Sequence, residues 1–336
     1  MITPALHPPR LSRRAMLAAS AAVLLAAPVR AASDGMVADA ARGLDQLHGI
    51  VLTRDDQTLL AEAFRGPPLH RPANVKSVSK TLLATLTGIA IDKGLIAGPD
   101  APVLPLLGRA DRGEKAGLSI GHLLSMRSGL ASTSGRNYGA WVSSRNWVDF
   151  ALDQPLEARP GTRFIYSTGN YHILGAALAR ASGRSLAALA RDWLGGPLEA
   201  DFPAWVRDPQ GNYLGGNEMA MSPLALSRFA RMCLKRGRWQ GTQVISPDWL
   251  DTSWQARATS PFSGDGYGYG WFTTRLAGER VVYGRGYGGQ LVLVAPDQKM
   301  TLAITSDPTR PARSGGYFGD LKALAALAVR AVRDGL

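Results

Sequence analysis

Lys76-Ser77-Val78-Ser79-Lys80-Thr81-Leu82-Leu83-Ala84-Thr85-Leu86-Thr87-Gly88-Ile89-Ala90-Ile91-Asp92-Lys93-Gly94 reads as one helix, entered near Ser77 and closed by Gly94, a residue suited to the left-handed conformation of a helix stop. Between Lys80 and Asp92 no side chain is charged, so the helix is apolar or neutral on every face and belongs in an interior. Lys80 is the anomaly. Its face continues through Leu83, Ala84, Thr87 and Ile91, where an ammonium is costly to bury. Residues three apart share a helix face, so Ser77 points at Lys80. That is a nucleophile beside a base, because burial lowers a lysine pKa and a neutral amine accepts a serine proton. The free N–H groups at a helix start favour an anion forming there. The spacing alone decides little: with 23 Ser and 7 Lys in 336 residues, chance supplies roughly half a Ser-x-x-Lys. A lysine snorkelling from the core beside a capping serine fits the same spacing.

Arg13 and Arg14 precede an uncharged run from Ala15 to Val29 that ends in Val29-Arg30-Ala31-Ala32. Residues 1–31 are therefore expected to be an export signal, and Ser12-Arg13-Arg14-Ala15-Met16-Leu17 is similar to the twin-arginine kind, which implies a periplasmic or secreted protein. The apolar run is shorter than the ~20 residues of a membrane span, so no stable anchor is expected after cleavage. Residues 1–31 hold Arg10, Arg13, Arg14 and Arg30 and no acid, so removing them lowers the net charge from +12 to about +8. The basic excess, 31 Arg against 7 Lys, is scattered rather than run together, which argues against a nucleic-acid partner. The single Cys233 sits in an apolar stretch and reads as a core residue. The five histidines show no metal-ligand spacing, so no zinc site is expected, and a serine nucleophile needs no cofactor.

The 305 residues after position 31 exceed one compact core, and no Gly/Ser- or Pro-rich linker divides them, so two lobes sharing an interface are expected. After a short helix at 36–47, the runs His48–Arg54 and Thr58–Phe64 flank a turn at Asp55-Asp56 and read as a hairpin. Residues 95 to 265 carry mostly helical patterns, at 120–126, 147–152, 171–182, 185–194 and 223–236. From Gly266 the character changes to strands at 267–274, 280–283, 290–294 and 300–305, followed by a helix over about 316–333. The expected fold is α+β: an antiparallel sheet faced by the terminal helices (about 36–76 and 266–336), interrupted by a large, mostly helical insertion (about 77–265).

Tyr166, in Phe164-Ile165-Tyr166-Ser167-Thr168-Gly169-Asn170, stands on a turn before a helix. Beside Ser77 and Lys80 its phenol would pass protons between nucleophile and leaving group, and a packed aromatic is the other reading. The run Tyr283-Gly284-Arg285-Gly286-Tyr287-Gly288-Gly289-Gln290 marks either close approach of a ligand or a bulge. Gly117-Leu118-Ser119-Ile120-Gly121 matches the Gly-x-Ser-x-Gly nucleophile elbow, but the polar residues before it make no strand, so Ser119 reads as a helix cap.

Taken together, Ser77-Val78-Ser79-Lys80, His122-Leu123-Leu124-Ser125-Met126-Arg127-Ser128-Gly129-Leu130, Pro160-Gly161 ahead of Tyr166-Ser167-Thr168, and Gly286-Tyr287-Gly288-Gly289-Gln290 resemble the penicillin-recognising serine hydrolases. That superfamily holds class C beta-lactamases, D-alanyl-D-alanine carboxypeptidases, related esterases and 6-aminohexanoate-dimer hydrolases. The resemblance implies a beta-lactamase/transpeptidase-like fold, Ser77 acylated, Lys80 activating it, Tyr166 protonating the leaving group, and an oxyanion hole from the backbone N–H of Ser77 and Tyr287. Two departures stand out. Many members have Tyr-x-Asn where this chain has Tyr166-Ser167-Thr168, so the amide that contacts a substrate carbonyl is either missing or supplied by Asn170. Many beta-lactamases have Lys-Thr-Gly where this chain has Gly284-Arg285-Gly286, and Arg285 is one residue off, turned by strand alternation to the other face. Asn170, Arg285, Gly286 and Tyr138 are the substrate-binding candidates, and for Tyr138, Trp141 and Asn217 lining the cleft and plain packing fit the spacing equally. The departures point from carboxylate-bearing substrates to an exported hydrolase of a small-molecule ester or amide. A beta-lactamase or D-alanyl-D-alanine carboxypeptidase is the nearest alternative, and a non-catalytic sensor of cell-wall fragments is another.

Overall fold

The computed structural model describes residues 27–110 and 113–335, so the leader expected over residues 1–31 lies almost wholly outside them. The first helix, α1 (Ala27–Arg42), leads into β1 (Leu47–Arg54) and β2 (Gln57–Ala63). Asp55, at φ 51, makes the hairpin turn. Near the C-terminus, β7 (Ala258–Thr259), β8 (Gly266–Tyr267), β9 (Phe272–Leu276), β10 (Glu279–Gly286), β11 (Gln290–Ala295) and β12 (Met300–Ser306) follow. All join one antiparallel sheet in the order β2-β1-β12-β11-β10-β9-β8-β7. The first strand thus pairs with the last, Ile50 opposite Ile304, which closes the sheet around both chain ends.

Every residue of β11 and β12 is buried, as strands covered on both faces must be. Adjacent positions on β10 show what covers them. A Cβ at Gly284 would lie 2.3 Å from Thr81 Oγ1, on the central helix α2 (Val78–Asp92), whereas the Arg285 guanidinium carbon sits 3.5 Å from the Phe318 ring centre, on the closing helix α8 (Tyr317–Asp334). The central and closing helices therefore lie on opposite faces, and α1 packs against α8.

Between the hairpin and β7 lie α2 and the helices α3 (Ile120–Leu124), α4 (Trp147–Asp153), α5 (Thr168–Ser182), α6 (Pro223–Leu234) and α7 (Pro247–Trp254). Within this insertion, β3 (Ala73–Asn74) pairs with β4 (Ala220–Met221), and β5 (Arg238–Trp239) pairs with β6 (Thr242–Gln243). Two details differ from the sequence expectation. Helix α6 packs on β12, β11 and β1, so its apolar stripe through Leu226, Phe229, Ala230 and Cys233 covers the sheet rather than the helical lobe. The single strand expected over 267–274 is broken between β8 and β9, because the chain dips there onto α2: Thr81 Oγ1 donates to Gly270 O at 2.7 Å, and a Cβ at Gly270 would stand 2.6 Å from Ala84 Cβ. Among the described residues no helix is long and apolar enough to cross a membrane.

Candidate active site

Residues Val78 to Ala90 of α2 are all buried, as a helix without charge on any face requires. Ser77 is its N-cap and is half-buried. The residue before it, Lys76, has a left-handed backbone (φ 50), a costly conformation for a side chain with a Cβ. Neighbours fix it there. Lys76 N–H donates to Asn74 Oδ1 at 2.9 Å, Lys76 Nζ pairs with Glu218 Oε1 at 3.0 Å, and Ser79 Oγ donates to Lys76 O at 2.5 Å. Ser79 Oγ also accepts from Met219 N–H, which ties the turn at Ser77 to the strand pair β3–β4.

Lys80, 2% exposed, donates from Nζ to Ser77 Oγ at 3.0 Å, to Gly216 O at 2.6 Å and to Thr168 Oγ1 at 3.3 Å. The ring centres of Tyr166 and Tyr171 lie 5.0 and 5.9 Å from the same nitrogen. Burial pushes the Lys80 pKa below its ordinary value, with the charge and hydrogen bonding of the Tyr166 phenol opposing the shift. The amine is thus biased toward its neutral form, which is able to accept a proton.

Tyr166 enters from the turn before α5, and three contacts to Met126 and Ser132 hold its segment. Ile165 N–H donates to Met126 O at 2.8 Å, Ser167 N–H points at Met126 Sδ, and Ser132 Oγ donates to Tyr166 O at 2.7 Å. On the opposite wall, Gly286 ends β10 against the turn at Ser77. A Cβ there would lie 2.4 Å from Val75 O and 3.0 Å from Lys76 Cβ, so only glycine permits this approach. The next residue, Tyr287, is 52% exposed, and neither its backbone N–H nor that of Ser77 has a partner among the described residues.

Two substrate-binding expectations are corrected. Asn170 is 1% exposed, accepts from Ser128 Oγ at 3.0 Å and faces Met126 Sδ, so its amide is committed beneath the site. Arg285 donates to Ser314 Oγ and Ala312 O, both at 3.1 Å, and stacks on Phe318, on the far face of the sheet from Ser77. Tyr138 stands half-buried with its hydroxyl 3.5 Å from Asn217 Nδ2, while Trp141 is fully buried against Tyr138, Trp147 and His172. Ser119 caps α3, its side chain accepting from His122 N–H at 3.3 Å, so the elbow-like serine is structural. Cys233 is buried, and burial drives its thiol pKa upward. Among the described residues no group of three or more His, Cys, Asp or Glu is placed to hold a metal ion.

Four contributors to the site escaped sequence reasoning: Thr168, Ser134, Gly216 and Glu218. Thr168 Oγ1 lies 3.0 Å from Ser134 Oγ, which also accepts from Thr168 N–H at 2.8 Å. The pair Gly215-Gly216 was the available signal for the third, since a Cβ at Gly215 would stand 2.1 Å from Tyr171 O.

The family model described as Beta-lactamase matches residues 37–327. No curated protein sequence matches the chain. Among solved structures, the chain is similar to a penicillin-binding protein homologue from Caulobacter crescentus (16% identity, 92% of this chain and 98% of that one, TM-score 0.72). It is also similar to a candidate 6-aminohexanoate-dimer hydrolase from Bacillus anthracis (16% identity, 86% and 80%, TM-score 0.70). A third is EstCE1, a hydrolase with promiscuous acyltransferase activity (19% identity, 90% and 98%, TM-score 0.68).

Proposed function

Because the chain belongs to the beta-lactamase family and has its serine-hydrolase fold, we propose that it is an exported hydrolase that forms an acyl-enzyme on Ser77 and cleaves a small neutral ester or amide. The observation that carries this reading is the buried Lys80 Nζ at 3.0 Å from Ser77 Oγ. Ser77 Oγ attacks the acyl carbon as its proton passes to Lys80, and the carbonyl oxygen takes the two unpartnered N–H groups of Ser77 and Tyr287. Tyr166, beside Lys80, protonates the departing alkoxide or amine and is reprotonated from Lys80. Water then enters, loses its proton to the same pair, and releases the acid as Ser77 regains its hydrogen.

The preference for neutral substrates rests on Arg285, which is spent on the opposite face of the sheet, and on Thr168, a hydroxyl where a substrate-binding amide is common. The likeness to EstCE1, a hydrolase with promiscuous acyltransferase activity, supports the acyl-transfer part of this reading. Incubation with a panel of p-nitrophenyl esters, a penicillin and a linear amide, followed by intact-mass measurement, tests the proposal. A short acyl adduct on wild type and none on Ser77→Ala is expected, whereas equal adducts on both refute it. Rapid nitrocefin turnover would move the assignment to a beta-lactamase. Fractionation of cells carrying the full chain tests export.

A further inference from the structure

We propose that His172 and Asp208 form a buried positioning pair that fixes the carbonyl of Gly216, the acceptor that holds Lys80. The inference rests on the reading of Lys80 as the base. Both side chains of the pair are fully buried, with His172 Nε2 3.0 Å from Asp208 Oδ2. Burial raises the Asp208 pKa, yet hydrogen bonds from His172 and Asn212 outweigh it and hold the carboxyl below its ordinary value. A carboxylate only accepts, so His172 Nε2 carries the proton of this bond. The charged group facing the imidazole is Asp208, and the rings of Trp141 and Trp147 pack on it with centres 5.7 and 5.5 Å away.

Adjacent helix residues point about 100° apart, so on α5 Tyr171 turns to Lys80 and Leu124 while His172 turns to Asp208. Asp208 makes the tip of a ribbon. Its Oδ1 accepts from the N–H groups of Gln210 and Asn212 at 3.0 and 2.7 Å, and its own N–H donates to Asn212 O at 2.8 Å. Leu214 N–H to Val206 O and Trp205 Nε1 to Leu214 O, both 2.9 Å, close the ribbon. Gly215 and Gly216 come next, and among the described residues neither N–H has a partner. Beyond them Glu218 is held by Lys76, and Met219 N–H by Ser79 Oγ. Gly216 is thus strung between two anchors, and the upstream one is tied to α5 through His172. Its oxygen takes Lys80 Nζ at 2.6 Å, a bond that is stronger to an ammonium than to a neutral amine. His172 and Asp208 are positioning residues that act through Lys80.

The test compares wild type with His172→Phe, which keeps a ring and loses the bond, and His172→Gln, whose amide donates from the place of Nε2. Each is followed by p-nitrophenyl ester turnover across pH, by intact-mass labelling of Ser77 and by hydrogen exchange over residues 206–216. In His172→Phe, kcat is expected to fall at least about tenfold, since a misplacement of about 1 Å in such a site costs on the order of 10²-fold. Loss of the Gly216 acceptor should move the acid limb of the rate to lower pH, and the Leu214 amide should exchange faster. His172→Gln should restore all three. The titratable groups facing Lys80 are Tyr166 and Tyr171, and the Tyr171 hydroxyl stays held by Leu124 O and Tyr267, so the limb reports the place of Gly216 O. If His172→Phe does not fold, Asn212→Ala decides by the same readouts, because it strips Asp208 of its other side-chain donor, at 2.9 Å, and leaves the backbone turn in place. Folded variants that lose stability with kcat and acid limb unchanged, and Ser77 still labelled, assign the pair to stability alone and overturn the proposal. Absence of label on wild-type Ser77 overturns the functional reading together with it.

Discussion

Lys76 Nζ and Glu218 Oε1 meet at 3.0 Å, and both residues hold left-handed backbones, with φ 50 and 67. Such conformations persist only where neighbours over-determine them. Glu218 also accepts from Asn74 Nδ2 at 2.5 Å, so one carboxylate fixes the residue before Ser77 and the strand leading to it. Glu218→Ala leaves two half-buried donors without a partner. A stability loss of about 1–3 kcal/mol in chemical denaturation is expected. In steady-state kinetics the loss should fall on kcat with KM little changed, because the pair sets where Ser77 points rather than touching substrate. An equal fall in a Glu218→Gln variant would show that charge matters; recovery there would show that hydrogen bonding suffices.

The Lys80 shift has a direction in pH. Its folded pKa lies below its ordinary value, so over the interval between the two the unfolded chain holds a proton that the folded chain lacks. Stability therefore rises with pH across that interval and levels off above the ordinary lysine value. Lys80→Met removes this slope, and urea melts from neutral to alkaline pH should show wild type gaining on the variant. The absolute order of the two is set by a second effect, since the substitution strips Gly216 O of its donor at a cost of about 1–3 kcal/mol. Turnover follows the same proton: the wild-type rate falls on acidification as the amine becomes charged, and Lys80→Met is inactive throughout.

The central helix was legible because its signal is local. A run without charges must be buried, and a lone lysine within it demands a partner, which Ser77 three residues earlier supplies. The remaining groups around Lys80 come from distant parts of the chain. Gly216 offers only a backbone oxygen, and Thr168 and Ser134 are loop or helix-start hydroxyls of the kind that ordinarily cap helices. Asn170 misled for a related reason: an amide two residues from Thr168 in sequence is turned beneath the site by the helix that begins there. Helix α6 shows the same limit at the level of the fold, since an apolar stripe says that a face is buried and not against which layer.

Arg285 provides a test of substrate charge. Its guanidinium is held by Ser314 Oγ, Ala312 O and the Phe318 ring, and burial lowers its pKa, with Tyr283 and other neighbours opposing the shift. Arg285→Met keeps the stem that packs on Phe318 while losing the polar contacts. Neutral ester turnover is expected within about twofold of wild type, with a stability loss of about 1–3 kcal/mol. A rise in KM confined to carboxylate-bearing esters would place the guanidinium within reach of substrate and contradict the geometry.

Gly286 sets the distance between the two halves of the proposed oxyanion hole. A methyl group there meets Val75 O at 2.4 Å, a backbone atom two residues before Ser77 that has no rotamer by which to yield. Gly286→Ala must therefore push β10 away from the nucleophile turn and carry the Tyr287 N–H with it. Ser77 caps α2 and Lys80 lies in its first turn, so the two keep their own 3.0 Å contact. A misplacement of about 1 Å in such a site costs on the order of 10²-fold in rate. Burst kinetics with an activated p-nitrophenyl ester separate the effects: acylation of Gly286→Ala should slow by that factor while its Ser77 still reacts with a fluorophosphonate probe. Wild-type acylation in this variant would remove Tyr287 from the oxyanion hole and require another donor opposite Ser77.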